Sequence, residues 1–136
     1  MKTSLTVIIA LLGLFVISGC STATPKEVAE KSVQYLKDKK YDKYVDLVYF
    51  KEEVNGNKDI LKDRKNAMRD IVEDKYDKSV KANGNIKNYS FINEEVKDSS
   101  AVVFLQIDYT SGESNTQKID LRKIPSGEWR IFFDVK

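Results

Sequence analysis

Ala101-Val102-Val103-Phe104-Leu105-Gln106-Ile107-Asp108-Tyr109-Thr110 is the stretch whose reading decides the fold class. Successive side chains on a strand point to opposite faces, so Ala101, Val103, Leu105, Ile107 and Tyr109 share one face. Working outward, β-branched or alternating runs recur at about Ile86 to Val96, Thr116 to Ile124 and Trp129 to Val135. Each is bounded by turn residues: Lys97-Asp98-Ser99-Ser100, Ser111-Gly112-Glu113-Ser114-Asn115 and Pro125-Ser126-Gly127-Glu128. These connections have hairpin length, which predicts a four-stranded antiparallel meander.

Upstream the period changes from 2 to about 3.6. Thr24-Pro25-Lys26-Glu27 combines a capping threonine, a proline suited to the first helical position and the glutamate of a capping box. Val28, Ala29, Ser32, Val33 and Leu36 then give one apolar face from about Pro25 to Asp38. A second helix is expected from Asp42, as cap, to Phe50, stopped by Asn55-Gly56-Asn57. The longest helix runs from Lys58 to about Lys81 on Ile60, Leu61, Met68, Ile71, Val72, Tyr76 and Val80, with Gly84 as its stop. Helices first and strands afterwards means an α+β domain with the helices laid on one sheet face.

Strand parity also sorts the candidate site residues. Ile119, Leu121, Trp129, Ile131, Phe133 and Val135 join the helix-covered face, where Tyr109, Trp129 and Gln117 carry the few polar atoms and form the candidate pocket. Asp108, Asp120 and Asp134 fall on the opposite face beside Lys118, Arg122 and Arg130, where cross-strand pairing accounts for them. Phe104 and Phe132 share that outer face and mark a candidate partner patch, open or covered by the connection at 51–57. A bulge near Arg122-Lys123-Ile124 would explain why Ile124 breaks the alternation.

The chain has no histidine, which removes the commonest general base and metal ligand at neutral pH. Asp38, Asp42 and Asp46 are spaced by four, but Lys37, Lys39, Lys40 and Lys43 lie among them and a solvated turn explains the group. Asp70, Glu73, Asp74 and Asp77 are balanced by Arg69, Lys75 and Lys78 on an ordinary solvated helix face. No catalytic residue, metal site or cofactor is expected. Lys plus Arg total 23 against 21 Asp plus Glu, interleaved along the chain, and this balance gives no basic face for nucleic acid.

The first twenty residues carry a separate message. Lys2 precedes an apolar run from Leu5 to Ile17, which as a helix reaches roughly 20 Å, short of the ~30 Å hydrocarbon core. The run closes on Ile17-Ser18-Gly19-Cys20, which resembles the lipobox of bacterial lipoproteins. In that family the signal peptidase recognises the residues corresponding to Ile17, Ser18 and Gly19 and cuts before the cysteine, here Cys20, whose thiol carries a diacylglycerol thioether and whose amine can take a further acyl chain such as palmitate. Two or more acyl chains give stable attachment, at about 0.8 kcal/mol per buried CH₂. Cys20 is the only cysteine, so disulfides and thiol catalysis are excluded together. The expected organisation is a signal peptide at 1–19, a lipidated tether at 20–23 and one α+β domain at 24–136.

The helix opened by Thr24-Pro25-Lys26-Glu27-Val28-Ala29, the stretch Leu36-Lys37-Asp38-Lys39-Lys40-Tyr41-Asp42-Lys43 and the strand pair from Leu121 to Ile131 together resemble the bacterial lipoprotein domain of unknown function 4878. That family usually has Gly-Asp-Tyr where this chain has Lys39-Lys40-Tyr41. The resemblance implies a cystatin-like or nuclear-transport-factor-2-like (NTF2-like) fold, in which a curved sheet wraps a long helix. It defines no catalytic residues.

The function these readings lead to is a non-enzymatic binding or accessory module of the cell envelope. It is held on the periplasmic side or outer surface of a membrane by lipid on Cys20, and its expected partner is a protein, a peptide or a small apolar ligand. The alternatives are a small hydrolase or isomerase of the same fold and an inhibitor or immunity-type protein.

Overall fold

In the computed structural model, which describes residues 22–133, Thr24 caps the first helix, α1 (Pro25–Lys37), through a complete capping box with Glu27. The helix ends in a Schellman turn: Lys40 N donates to Tyr35 O at 2.8 Å and Lys39 N to Leu36 O at 3.0 Å. This geometry puts Lys39 at φ 58, the left-handed conformation that glycine adopts freely.

The second helix differs from expectation. It is a single short element, α2 (Tyr41–Val45), with Lys40 at the cap position and no side-chain cap. Asp42 lies in its first turn and pairs with Arg69 at 2.8 Å instead of capping. The chain leaves the helix because an edge strand needs it. Tyr49 N donates to Ile131 O, and Ile131 N donates to Leu47 O, both at 2.7 Å, so Leu47 to Tyr49 close the free edge of the last strand. A further helical turn, α3 (Lys51–Val54), follows. The long helix α4 (Lys58–Asn83) has Asn57 as its cap and stops at Gly84, φ 83, where any Cβ would collide with the Thr110 hydroxyl.

The sheet is the meander expected, in the order β1 (Ile86–Val96), β2 (Ser100–Tyr109), β3 (Ser114–Lys123), β4 (Trp129–Ile131). β2 pairs with β3 in unbroken register, and Arg122 and Lys123 pair regularly with Arg130 and Trp129. The irregularities lie in β1, at Lys87 and Ile92. The extra residue at Ile92 reverses the alternation beyond it. Glu94 therefore pairs with Val103 on the helix-covered face, where its Oε2 is buried without a hydrogen-bond partner. Parity without that bulge would have put it outside.

The core joins Val28, Ala29 and Val33 of α1 and Val45 and Val48 to Val103, Leu105, Leu121, Trp129 and Ile131. The long helix is loosely covered by comparison. Tyr76 is its one buried residue, and Ile60 and Ile71 are 45% and 49% exposed. No described helix is long and apolar enough to cross a membrane. The predicted signal peptide, Ile17, Ser18, Gly19 and Cys20 lie outside the described residues, as do Asp134 and Val135.

Candidate functional site: an apolar cavity under the long helix

Because α4 packs against α2 and α3, its apolar stripe stands off the sheet and leaves a cavity of about 930 Å³. Met68, Ile71, Val72 and Tyr76 of α4 face Ile107, Tyr109 and Ile119 of the sheet across it. The second half of α1 contributes Ser32, Val33 and Leu36, α2 contributes Tyr44, and Ile131 and Phe133 close the side toward β4. A volume of this order suits a small-molecule ligand.

Few polar groups line it. Burial pushes the Tyr44 hydroxyl up to about 12, so it stays a neutral hydrogen-bond donor across the physiological range. The Tyr109 hydroxyl accepts from Asn115 Nδ2 at 3.4 Å, which leaves its own proton free. Tyr76 contributes its ring, while its hydroxyl is buried with no hydrogen-bond partner. Its acidity is lowered chiefly by that burial, with the nearby Ile86 backbone partly opposing and Tyr109 adding to the effect. Ser32 Oγ is turned back onto Ala29 O at 2.6 Å. Lys75 and Gln117 are exposed groups of the lining. Lys118 and Asp120 border the cavity from β3, but their register opposite Phe104 and Val102 puts both side chains on the outer face, 3.9 Å apart.

Of the sequence-derived pocket residues, Tyr109 and Gln117 line this cavity and Trp129 does not. Trp129 is packed in the core, with the Lys123 ammonium 5.7 Å from its ring. Phe104 and Phe132 both face outward as parity required, but the charged row Lys118, Asp120 and Arg122 runs between them. Phe132 is covered by Tyr49, ring centroids 5.7 Å apart, and by the Arg122 guanidinium 3.7 Å above its ring. The aspartates spaced by four are dispersed: Asp38 accepts from Gln34, Asp42 from Arg69 and Asp46 from Lys65. Asp108 on the outer face accepts from Ser114 Oγ at 2.6 Å and Gln106 Nε2 at 3.0 Å, which holds its carboxyl below the usual range. Among the described residues no group of three or more acidic, histidine or cysteine side chains is arranged around a metal position. Sequence reasoning missed Tyr44, Met68, Val72, Lys75 and Tyr76 as a lining, because helical periodicity alone reads them as packed core or solvated surface.

The architecture has a solved counterpart. A Campylobacter jejuni protein of NTF2-like fold, with a proposed transpeptidase assignment, superposes with a TM-score of 0.65 at 13% identity, over 82% of this chain and 100% of its own. The fold is NTF2-like. At that identity the likeness shows the NTF2-like architecture alone, in which a sheet and its helices enclose a cone. No protein-family model and no curated relative matches the sequence.

Proposed function

We propose that the chain is a lipid-anchored, non-enzymatic binding module of the bacterial cell envelope, with the cavity under α4 as its ligand site. The cavity carries the reading: a half-open concave volume of about 930 Å³ with largely apolar walls and tyrosine hydroxyls. Ile17-Ser18-Gly19-Cys20 supports the anchor, and a finer likeness to the lipoprotein domain of unknown function 4878 belongs to the same proposal. On this reading the mature protein begins at Cys20 and sits on the periplasmic side or outer surface of a membrane.

The transpeptidase assignment of the C. jejuni protein is the one observation that favours an enzyme. Such chemistry needs an activated nucleophile beside a base. Ser32 is bound to the Ala29 carbonyl, the chain has no histidine, and Cys20 is its only thiol. These residues favour binding over turnover.

Two measurements test the proposal. Metabolic labelling with an alkynyl fatty acid should mark the wild type and not Cys20→Ala, and mass spectrometry should place the mature start at Cys20. Native mass spectrometry of the full chain released from membranes should show a non-covalent small molecule in stoichiometric amount. Lipid on Cys20→Ala, or a peptide-bond-forming activity abolished by Ser32→Ala, would overturn the reading.

A further inference from the structure

We infer that the cavity selects an amphiphile with an apolar body and a hydrogen-bond-accepting or anionic end, such as a medium-chain carboxylate; this rests on the binding-module reading above. The first ground is the loosely covered stripe on α4. In a 26-residue helix only Tyr76 is buried; Met68 and Val72 are partly buried against the core and, with the exposed Ile71, line the cavity. Of the lining residues, Phe133 beyond β4 is 43% exposed and Ile71 of α4 is 49% exposed. Apolar groups left half-wet around a concave site are what an apolar ligand would cover.

The second ground is the sign of the polar groups. The Tyr44 hydroxyl keeps its proton, and the Tyr109 hydroxyl receives Asn115 and is left to donate. Lys75 adds an ammonium at the long helix. The one carboxylate bordering the cavity, Asp120, points to the far face beside Lys118. Donors and a cation in the lining, with Glu94 outside it and Asp120 turned away, favour a ligand end that accepts, and disfavour an ammonium.

The test uses the full lipidated chain in nanodiscs, with empty nanodiscs to correct for partitioning. Met68 is the only methionine after residue 1, so a ¹³C-methyl label reports from the cavity wall alone once the signal peptide is removed. Octanoate, octan-1-ol and octylammonium serve as probes. Octanoate should shift the Met68 methyl saturably and bind at least about tenfold tighter than octylammonium, with octanol between them. In Lys75→Gln the octanoate and octanol affinities should converge to within about twofold. Val72→Trp, which fills the void from the helix side, should abolish the shift for all three. Equal affinity for the three probes would overturn the preference for an accepting end and leave the cavity as a binding site. No saturable shift with any probe would overturn both.

Discussion

Arg130 of β4 and Glu53 of α3, 77 residues apart in the chain, meet on the outer face of the sheet through two contacts, Nε to Oε1 at 3.3 Å and Nη2 to Oε2 at 3.4 Å. Glu128 adds a third at 2.6 Å, and the Arg130 side chain is only 14% exposed. This fork pins the connection between α2 and α4 against β4. Partly buried pairs lie between surface bridges, near zero to 1 kcal/mol, and buried ones whose disruption costs several. Glu53→Ala should therefore cost about 1 to 2 kcal/mol in urea denaturation, and a double-mutant cycle with Arg130→Ala should give a coupling of about 1 kcal/mol. A coupling near zero would show that the fork only decorates the connection.

Lys39 pays the cost of a left-handed residue with a Cβ. Removing that Cβ relieves steric strain of about 1 to 2 kcal/mol, offset in part by the greater freedom of an unfolded glycine. Lys39→Gly should raise stability by about 0.5 to 1 kcal/mol, and Lys39→Val should lower it. A destabilised glycine variant, seen by thermal or chemical unfolding, would contradict the Schellman geometry.

Trp129→Ala should cost about 3 to 5 kcal/mol through the void it leaves in the core. Asp42→Ala should cost less than about 0.5 kcal/mol, since its contact with Arg69 is a solvent-exposed ion pair and not a helix cap. The two variants compared in one guanidinium series check both placements.

Tyr44 gives a pH signature. Its folded pKa of about 12 lies above the ordinary 10, so its contribution is fully present below pH 10 and is lost as pH rises from 10 to 12, where only the unfolded chain deprotonates. Two units correspond to roughly 3 kcal/mol. Tyr41, Tyr76 and Tyr89 are shifted in the same direction, chiefly by burial, and add to the slope. Unfolding midpoints at pH 9 and pH 11 should fall less in Tyr44→Phe than in the wild type. An equal fall in both would remove Tyr44 from the buried set.

Local signals made much of this architecture legible. Thr24 with Glu27, Gly84 and the three hairpin connections set element ends through short-range chemistry, and the alternation from Ala101 to Tyr109 set the buried face. Failures arose where a distant partner decided the outcome. Val48 and Tyr49 suit a helix or a strand equally, and the unpaired backbone of Ile131 selects the extended form. The extra residues of β1 at Lys87 and Ile92 have no turn residue to announce them, and the second reverses the first, returning Glu94 to the face that Ile86 occupies. In the cavity, Tyr109 and Gln117 followed from parity. The helical side of the lining did not, because an apolar stripe has the same period whether it meets a sheet or a void.

The first helix, a core element, also sets a distance. Only its residues from Ser32 onward reach the cavity, while its first turn is fixed to Thr24 by the capping box. At about 1.5 Å per residue the lining begins roughly 12 Å along the helix from Thr24. If Cys20 is the point of attachment, the lining begins at the far half of a helix that is itself packed into the core, so inserting residues before Thr24 should leave what the cavity holds unchanged. Joined to the sheet through Val28, Ala29 and Val33, that helix would carry the site above a membrane as part of one solid body.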